Sequence, residues 1–183
     1  MSQPESGPLG APTMRVGVVI NEGKSLGGGL EALRSTLADL GHADPPWYEV
    51  SKSKKAPKAI RKLVADDGVD RVLVWGGDGT ARRAINTVID DGLDVAIGIL
   101  PAGTANLLAN NLDIPIDLGG AVDVAVHGEP RAIDVGEMNG TYFAVMAGAG
   151  FDALMIRDAD DSALKDRYGR LGYVVAGVRN RDV

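Results

Sequence analysis

The feature that most constrains the fold is a repeated alternation of short apolar runs and segments with helical periodicity. Apolar, often β-branched runs occupy residues 14–20, 47–50, 71–75 and 95–100, and helix-like stretches separate them. In the clearest stretch the leucines are spaced four, three, four and three residues apart, from Leu26 to Leu40. Parallel strands can be joined only by a crossover, usually a helix. The sequence therefore predicts an α/β fold with a parallel-rich sheet flanked by helices.

A different pattern follows the fourth run and a predicted helix over residues 119–126. Asn139-Gly140 lies between two β-like runs, 131–135 and 141–147. Asn-Gly between apolar runs is the strongest short hairpin signal, because both residues accept the positive φ of a tight turn. We therefore expect an antiparallel hairpin near residues 131–147.

The two ends of the chain carry separate expectations. Residues 1–13 lack the basic start and apolar middle of a signal peptide, and we interpret them as a disordered leader. Near the other end, an apolar helical stripe from Leu164 to Val178 has no later element to pack against. We expect one domain over residues 14–183, truncated at its C-terminus.

Composition excludes several classes of protein. The net charge of −6 argues against a dedicated nucleic-acid binder, which needs clustered cations facing phosphates. With no cysteine and only two histidines, a thiolate metal site, a histidine-rich zinc site or a histidine-centred triad is disfavoured. The sequence contains no run of 18 apolar residues, which is the length that would predict a membrane span.

The most informative turn is Gly76-Gly-Asp-Gly-Thr80, between a predicted strand and a predicted helix. Glycines leave the backbone bare where a helix presents its unpaired N–H groups, which is the chemistry of a phosphate site. We expect Thr80 to cap the helix and to bond a phosphate oxygen. Asp78 would repel a phosphate unless a divalent cation or a transferring hydroxyl lies between them. The alternative is a purely structural turn whose glycines satisfy positive φ.

A second turn of the same kind, Pro101-Ala-Gly-Thr-Ala-Asn106, follows the fourth strand. Ligands of parallel α/β sheets bind outside the carboxyl ends of the strands. Asn21, Ser51 and Thr104 also follow predicted strands, so they could line one rim with the glycine turn. The spacing does not fit a P-loop at Gly23-Lys-Ser25 or a Rossmann fingerprint at the glycine turn.

A basic cluster stands out in this acidic chain. Residues 51–62 contain six cations, and Ala59, Ile60 and Leu63 form the apolar face of a predicted helix. The cluster is either an ordinary solvated helix face or a positive field that attracts a polyphosphate or an anionic membrane surface.

Taken together, these motifs resemble the nucleotide-binding domain of the diacylglycerol kinase family, which includes sphingosine kinases and bacterial lipid kinases. The matching pieces follow the family's order along the chain. They are Asn21, Ser51, Gly76-Gly-Asp-Gly-Thr80, Pro101-Ala-Gly-Thr-Ala-Asn106, Ile133-Asp-Val-Gly-Glu-Met-Asn139, Gly148-Ala-Gly-Phe-Asp-Ala153 and Arg170-Leu-Gly-Tyr173.

The resemblance implies a nucleotide domain like that of NAD kinases and phosphofructokinases, with ATP and Mg²⁺ bound along the rim. The implied nucleotide contacts are Asn21, Ser51, Gly76, Gly77, Asp78, Gly79, Thr80 and Thr104. Asp78 and Asp134 are the implied catalytic carboxylates near the metal and phosphates, while the metal ligands remain unassigned. The implied reaction transfers the γ-phosphate to the hydroxyl of a diacylglycerol-like lipid. We expect a cytoplasmic protein with peripheral membrane contact and no nucleic-acid partner.

Some features depart from the family's pattern. Leu107 stands where some members have an aspartate, and Glu22-Gly-Lys-Ser25 replaces a common loop sequence. The family's C-terminal β-sandwich, with its general base, has no counterpart here, so we expect the isolated chain to be inactive. Two alternatives remain: a kinase of the NAD kinase type, and a nucleotide-binding module without turnover.

Overall fold

The computed structural model describes residues 14–146, and those up to Val145 belong to one compact unit. The predicted leader, the Gly148–Ala153 turn and the 164–178 helix lie outside the described residues. The strands are β1 (Val16–Asn21), β2 (Trp47–Val50), β3 (Arg71–Gly76), β4 (Ala96–Pro101), β5 (Gly136–Met138) and β6 (Thr141–Phe143). The helices are α1 (Gly29–Asp39), α2 (Ala56–Ala65), α3 (Asp78–Asp90), α4 (Leu107–Asn111) and α5 (Leu118–His127), and a 3₁₀ turn at Ser53–Lys55 precedes α2.

The first four strands form one parallel sheet in the order β2-β1-β3-β4, which confirms the predicted α/β fold. Because all four run the same way, their carboxyl ends lie along one edge. The chain moves from β1 to β2 on one side and then crosses to β3 on the other side of β1. The strand order therefore switches between β1 and β3, which is where ligands of open α/β sheets bind.

Helices cover both faces of this sheet. Leu33 and Leu37 of α1 pack with α5 on one face, around the fully buried Trp75. Ile60 and Leu63 of α2 pack with part of α3 on the other face. Within residues 14–146 no helix combines the length and the apolar character needed to cross a bilayer.

Arg71, at the start of β3, is a buried cation with a structural role. It is only 7% exposed and donates hydrogen bonds to the carbonyls of Ala125 and Val126, at 2.9 and 2.7 Å. Those carbonyls lie in the last turn of α5, where acceptors are left unpaired and the helix dipole favours a positive charge. Arg71 thus fastens α5 to the sheet.

The buried face of α3 includes a polar residue near its C-terminal end. Thr87 is 2% exposed, whereas the apolar Ile89 is 37% exposed. Thr87 continues the buried stripe of Thr80 and Ala84, seven and three residues before it. Its burial is tolerated because its hydroxyl donates to the carbonyl of Arg83 at 2.7 Å.

The predicted hairpin is present, but its first strand was placed too early. Asn139 and Gly140 have φ of 53° and 69°, and Met138 pairs with Thr141 across this two-residue turn. The first strand is therefore 136–138, and residues 131–135 are not in a strand. Pairing ends at Gly136 because the flanking Val135, Ala144 and Val145 pack against the core beside α3 and α4 instead.

Candidate active site

Three neighbouring strands bring the polar turns to the carboxyl edge of the sheet. Asn21 ends β1, Gly76 ends β3, and Gly76 pairs directly with Pro101 at the end of β4. The glycine turn and the 101–106 turn are therefore adjacent, and Asn21 lies on the other side of the switch point. The hydrogen bond from Trp75 Nε1 to the carbonyl of Lys24, at 3.0 Å, also fixes the loop after β1.

The N-terminus of α3 presents backbone donors that have no partner among the described residues. Gly77 is the N-cap, with φ of −97° and ψ of −173°, and no side chain of residues 14–146 caps the helix. No hydrogen bond within residues 14–146 uses the N–H of Gly77, Asp78 or Gly79. Three consecutive N–H groups at the positive end of a helix dipole form an arrangement that binds anions.

The glycines of the two turns have different roles. A Cβ on Gly103 would lie 2.5 Å from the Cα of Gly77, and one on Gly76 would lie 2.5 Å from Oγ1 of Thr80. These glycines are needed so that the two turns and the first turn of α3 can pack closely. A Cβ on Gly79 would meet nothing within 4 Å. Gly79 is thus the glycine whose bare backbone faces open space.

Thr80 does not cap α3, contrary to the sequence prediction. It lies inside the first turn, where a side chain cannot act as the N-cap, and it is 2% exposed. Its Oγ1 accepts a hydrogen bond from Nδ2 of Asn21 at 3.0 Å. This buried bond ties the end of β1 to α3 across the switch point. Both residues therefore shape the rim from beneath its surface.

Asp78 has a partner that the sequence did not reveal. Its Oδ1 accepts the backbone N–H of Leu108 at 3.0 Å. Leu108 is the second residue of α4, so the carboxylate satisfies one of the unpaired donors of that helix. Asp78 and Leu108 also line a shallow depression together with Gly77 and Pro101. The second oxygen of Asp78 makes no hydrogen bond within residues 14–146.

Asn106 is a positioning residue to which the sequence reasoning gave no role. Its side chain accepts the N–H of Gly103 at 2.8 Å and donates to the carbonyls of Pro101 and Gly103, both at 3.0 Å. Its φ is 49°, in the left-handed region. Asparagine is one of the few residues that enter this region readily, and its place at the end of a glycine-containing turn was the available signal.

The remaining predicted site residues are exposed and lie apart from these bonds. Ser51 follows β2, and its Oγ accepts from Nζ of Lys55 at 3.1 Å. Thr104 lies on the 101–106 turn, and Asp134 lies in the segment between α5 and β5. Within residues 14–146 no hydrogen bond or ion pair joins Asp134 to the α3 N-terminus, and no three His, Cys, Asp or Glu residues form a metal-binding group.

The family to which the chain belongs follows from a match to a family model. The model of the diacylglycerol kinase catalytic domain matches residues 15–138, which include both turns and Asp134. The chain belongs to this family. The predicted resemblance is therefore confirmed.

Individual relatives agree with the family match. A diacylglycerol kinase of Staphylococcus haemolyticus is 30% identical over 154 residues, 81% of this chain and 46% of that protein. A Klebsiella pneumoniae protein named "Probable lipid kinase YegS-like" is 35% identical over 115 residues, 62% of this chain and 38% of that protein. The chain thus spans less than half the length of these relatives.

A solved structure supports the fold independently. The crystal structure of a diacylglycerol kinase from Bacillus anthracis superposes with a TM-score of 0.62 at 21% identity, covering 73% of this chain and 50% of that one. At this level of identity the likeness concerns the fold alone, and it agrees with the parallel sheet and its helical layers.

Proposed function

We propose that this chain is the ATP-binding domain of a lipid kinase that transfers the γ-phosphate of ATP to the hydroxyl of a diacylglycerol-like lipid, giving a phosphatidate. The observation that carries the proposal is the row of N–H groups at Gly77, Asp78 and Gly79, which have no partner within residues 14–146 and lie at the switch point of the sheet. Family membership supplies the reaction class, since the relatives are named as kinases.

In this proposal the α3 N-terminus holds phosphate oxygens of ATP. Gly79 allows the triphosphate to approach because no side chain occupies the space beside it. The bond between Asn21 and Thr80 holds α3 in place, and Ser51 and Thr104 contact the nucleotide farther along the rim. Preorganised donors of this kind stabilise the charge that develops during phosphoryl transfer.

Mg²⁺ fits the donor set in a limited way. In kinase sites this ion is usually held by one or two carboxylates together with substrate phosphates and water. Asp78 would supply one carboxylate oxygen, because only its Oδ1 is engaged by Leu108. The ion would neutralise phosphate charge that the carboxylate would otherwise repel. Asp134, being exposed, is proposed as the second carboxylate near the phosphates.

The transfer itself requires groups on both reactants. The lipid hydroxyl oxygen forms a bond to the γ-phosphorus, the bond from that phosphorus to the bridging oxygen breaks, and ADP leaves. The hydroxyl proton passes to a base. We assign ATP binding to the described residues and no base among them. Because the acceptor is a membrane lipid, we propose peripheral contact with the cytoplasmic side of a membrane.

Two measurements test the proposal. Isothermal titration of the chain with ATP should give saturable binding, and lack of binding would overturn it. A chimera of this chain with the remaining part of the S. haemolyticus relative should transfer radiolabelled phosphate from ATP to diacylglycerol. Phosphate on NAD and not on the lipid would instead support a kinase of the NAD kinase type.

A binding module without turnover is the second candidate, and the Asp78–Leu108 hydrogen bond favours it. That bond gives the Asp78 carboxylate a purely structural role, which is to stabilise α4, and this role needs no metal ion. The same chimera with Asp78→Asn separates the two candidates. A lipid kinase should lose transfer while the fold is retained, whereas a module predicts ATP binding in every version and transfer in none.

A further inference from the structure

A surface of exposed lysines follows the carboxyl end of β2. We call it the lysine surface, and it comprises Lys52, Lys54, Lys55, Lys58 and Lys62. The opposite face of the same segment is buried through Ala56, Ala59, Ile60 and Leu63. Folding therefore sorts the cluster into an apolar face that packs on the sheet and a cationic face directed to solvent.

Most of this positive charge forms no ion pair with another described residue. Arg61, the sixth cation of the segment, is paired with Asp91 at 2.5 Å. Lys55 bonds the neutral Ser51, and Lys62 lies 5.8 Å from the ring centroid of Tyr48. The side chains of Lys52, Lys54 and Lys58 form no hydrogen bond or ion pair with any residue of 14–146. Uncompensated charge of one sign is thus concentrated in a chain whose net charge is −6.

The lysine surface adjoins the edge that carries the candidate active site. The 3₁₀ turn Ser53–Lys55 begins three residues after β2 ends, and it packs against α3. The unpaired N–H groups of Gly77, Asp78 and Gly79 lie at the start of that same helix. The positive charge of the lysine surface can therefore orient the carboxyl edge of the sheet toward an anionic partner.

We propose that the lysine surface docks this domain on an anionic lipid bilayer. Its lysines lie on the exposed face of a helix and a turn, so several of them can contact an extended negatively charged surface at the same time. Lysine ammonium groups act as mobile point charges, which suits the diffuse negative potential of anionic headgroups. The inference rests on the proposed function in one respect only. The lipid that accepts the phosphate would lie in the membrane on which the domain docks.

The test is sedimentation of the full chain with lipid vesicles, without ATP and without diacylglycerol. Vesicles with about a third phosphatidylglycerol should bind the chain, and pure phosphatidylcholine vesicles should not. Lys54→Gln with Lys58→Gln should weaken partitioning about thirty-fold, since each lysine near an anionic leaflet contributes about a fivefold factor. Binding should be lost in about 1 M salt, where the Debye length shrinks to about 3 Å.

The matched control is Arg15→Gln with Arg34→Gln. It removes the same charge from exposed positions on β1's amino-terminal side and on α1, which packs on the other face of the sheet. This control should bind anionic vesicles within about twofold of the unaltered chain. Equal losses in both double variants, or no loss in either, would overturn the docking surface. A loss of ATP affinity in Lys54→Gln/Lys58→Gln, with vesicle binding unchanged, would assign the surface to the nucleotide and overturn the proposal.

Failure of this inference is distinguishable from failure of the proposed function. Vesicle binding is measured without nucleotide, and ATP binding is measured without vesicles. A chain that binds ATP but no anionic vesicles refutes the docking surface alone.

Discussion

Replacing Gly79 by alanine should change stability and nucleotide binding in opposite directions. Gly79 is the second residue of α3, and an added Cβ would meet nothing within 4 Å. Because glycine costs roughly 0.5–1 kcal/mol relative to alanine within a helix, Gly79→Ala should stabilise the fold by about 0.5 kcal/mol in the first turn. For a chain of this size that raises the melting temperature by about 1–2 °C.

The same methyl group should obstruct ATP. If the triphosphate lies against the N–H groups of residues 77–79, the Cβ introduced by Gly79→Ala occupies the space that a phosphate oxygen needs. We expect the affinity to fall at least about tenfold, which corresponds to about 1.4 kcal/mol. Thermal unfolding followed by circular dichroism gives the first quantity, and isothermal titration with ATP gives the second.

Gly119→Ala is the matched control. Gly119 is also the second residue of its helix, α5, and the nearest atom to an added Cβ is Asp117 Oδ1 at an ordinary 3.7 Å. This variant should gain similar stability. Its ATP affinity should be unchanged, because α5 packs on the opposite face of the sheet from α2 and part of α3. A stabilised Gly79→Ala variant that binds ATP as tightly as the unaltered chain would refute the placement of the phosphates.

Three further predictions concern the buried contacts. Asn21→Ala and Thr80→Val should each cost about 1–2 kcal/mol of unfolding free energy, because each substitution leaves the remaining partner of the hydrogen bond unpaired. A double-mutant cycle should therefore give a coupling energy of about 1 kcal/mol between the two positions. Asp78→Asn should change the unfolding free energy by less than about 0.5 kcal/mol, since an amide oxygen still accepts from Leu108, whereas Asp78→Ala should cost about 1 kcal/mol. Arg71→Met should cost about 2 kcal/mol and lower the melting temperature by about 4–8 °C, because it removes a charged donor from the C-terminus of α5.

Urea titrations measure all three, and each has a result that would contradict it. Additive effects of Asn21→Ala and Thr80→Val would mean that their hydrogen bond is not formed. An Asp78→Asn variant as unstable as Asp78→Ala would mean that the carboxylate charge, and not the hydrogen bond, holds α4. An Arg71→Met variant of unchanged stability would mean that water replaces Arg71 at the α5 carbonyls.

Local patterns in the sequence predicted most of the fold. The apolar runs gave β2 at its observed bounds and placed the ends of β1, β3 and β4 within two residues. The leucine stripe of α1 was correct because a 3.6-residue period is read from neighbours in the chain. The hairpin turn was correct because Asn139 and Gly140 encode their own positive φ, but the extent of β5 depended on where Val135 packs.

The candidate site was predictable only in outline. A glycine-rich turn after a strand signals an anion site from residues a few positions apart, and the motif series pointed to the family that the comparison confirmed. The partners of Thr80 and Asp78 lie 59 and 30 residues away, at Asn21 and Leu108. No local pattern specifies such pairs, which is why Thr80 was wrongly assigned as a helix cap.

By itself, the sequence determined which segments are strands and helices, and which turns have chemistry suited to phosphate. The tertiary structure alone decided the strand order, and with it the switch point where these turns meet. It also gave the glycines different roles. Gly76 and Gly103 allow the two turns and the first turn of α3 to pack closely, whereas Gly79 is open to solvent. The physical reason is that secondary structure is encoded by periodicity over a few residues. Which glycine is free for a ligand depends on atoms brought together by the whole sheet.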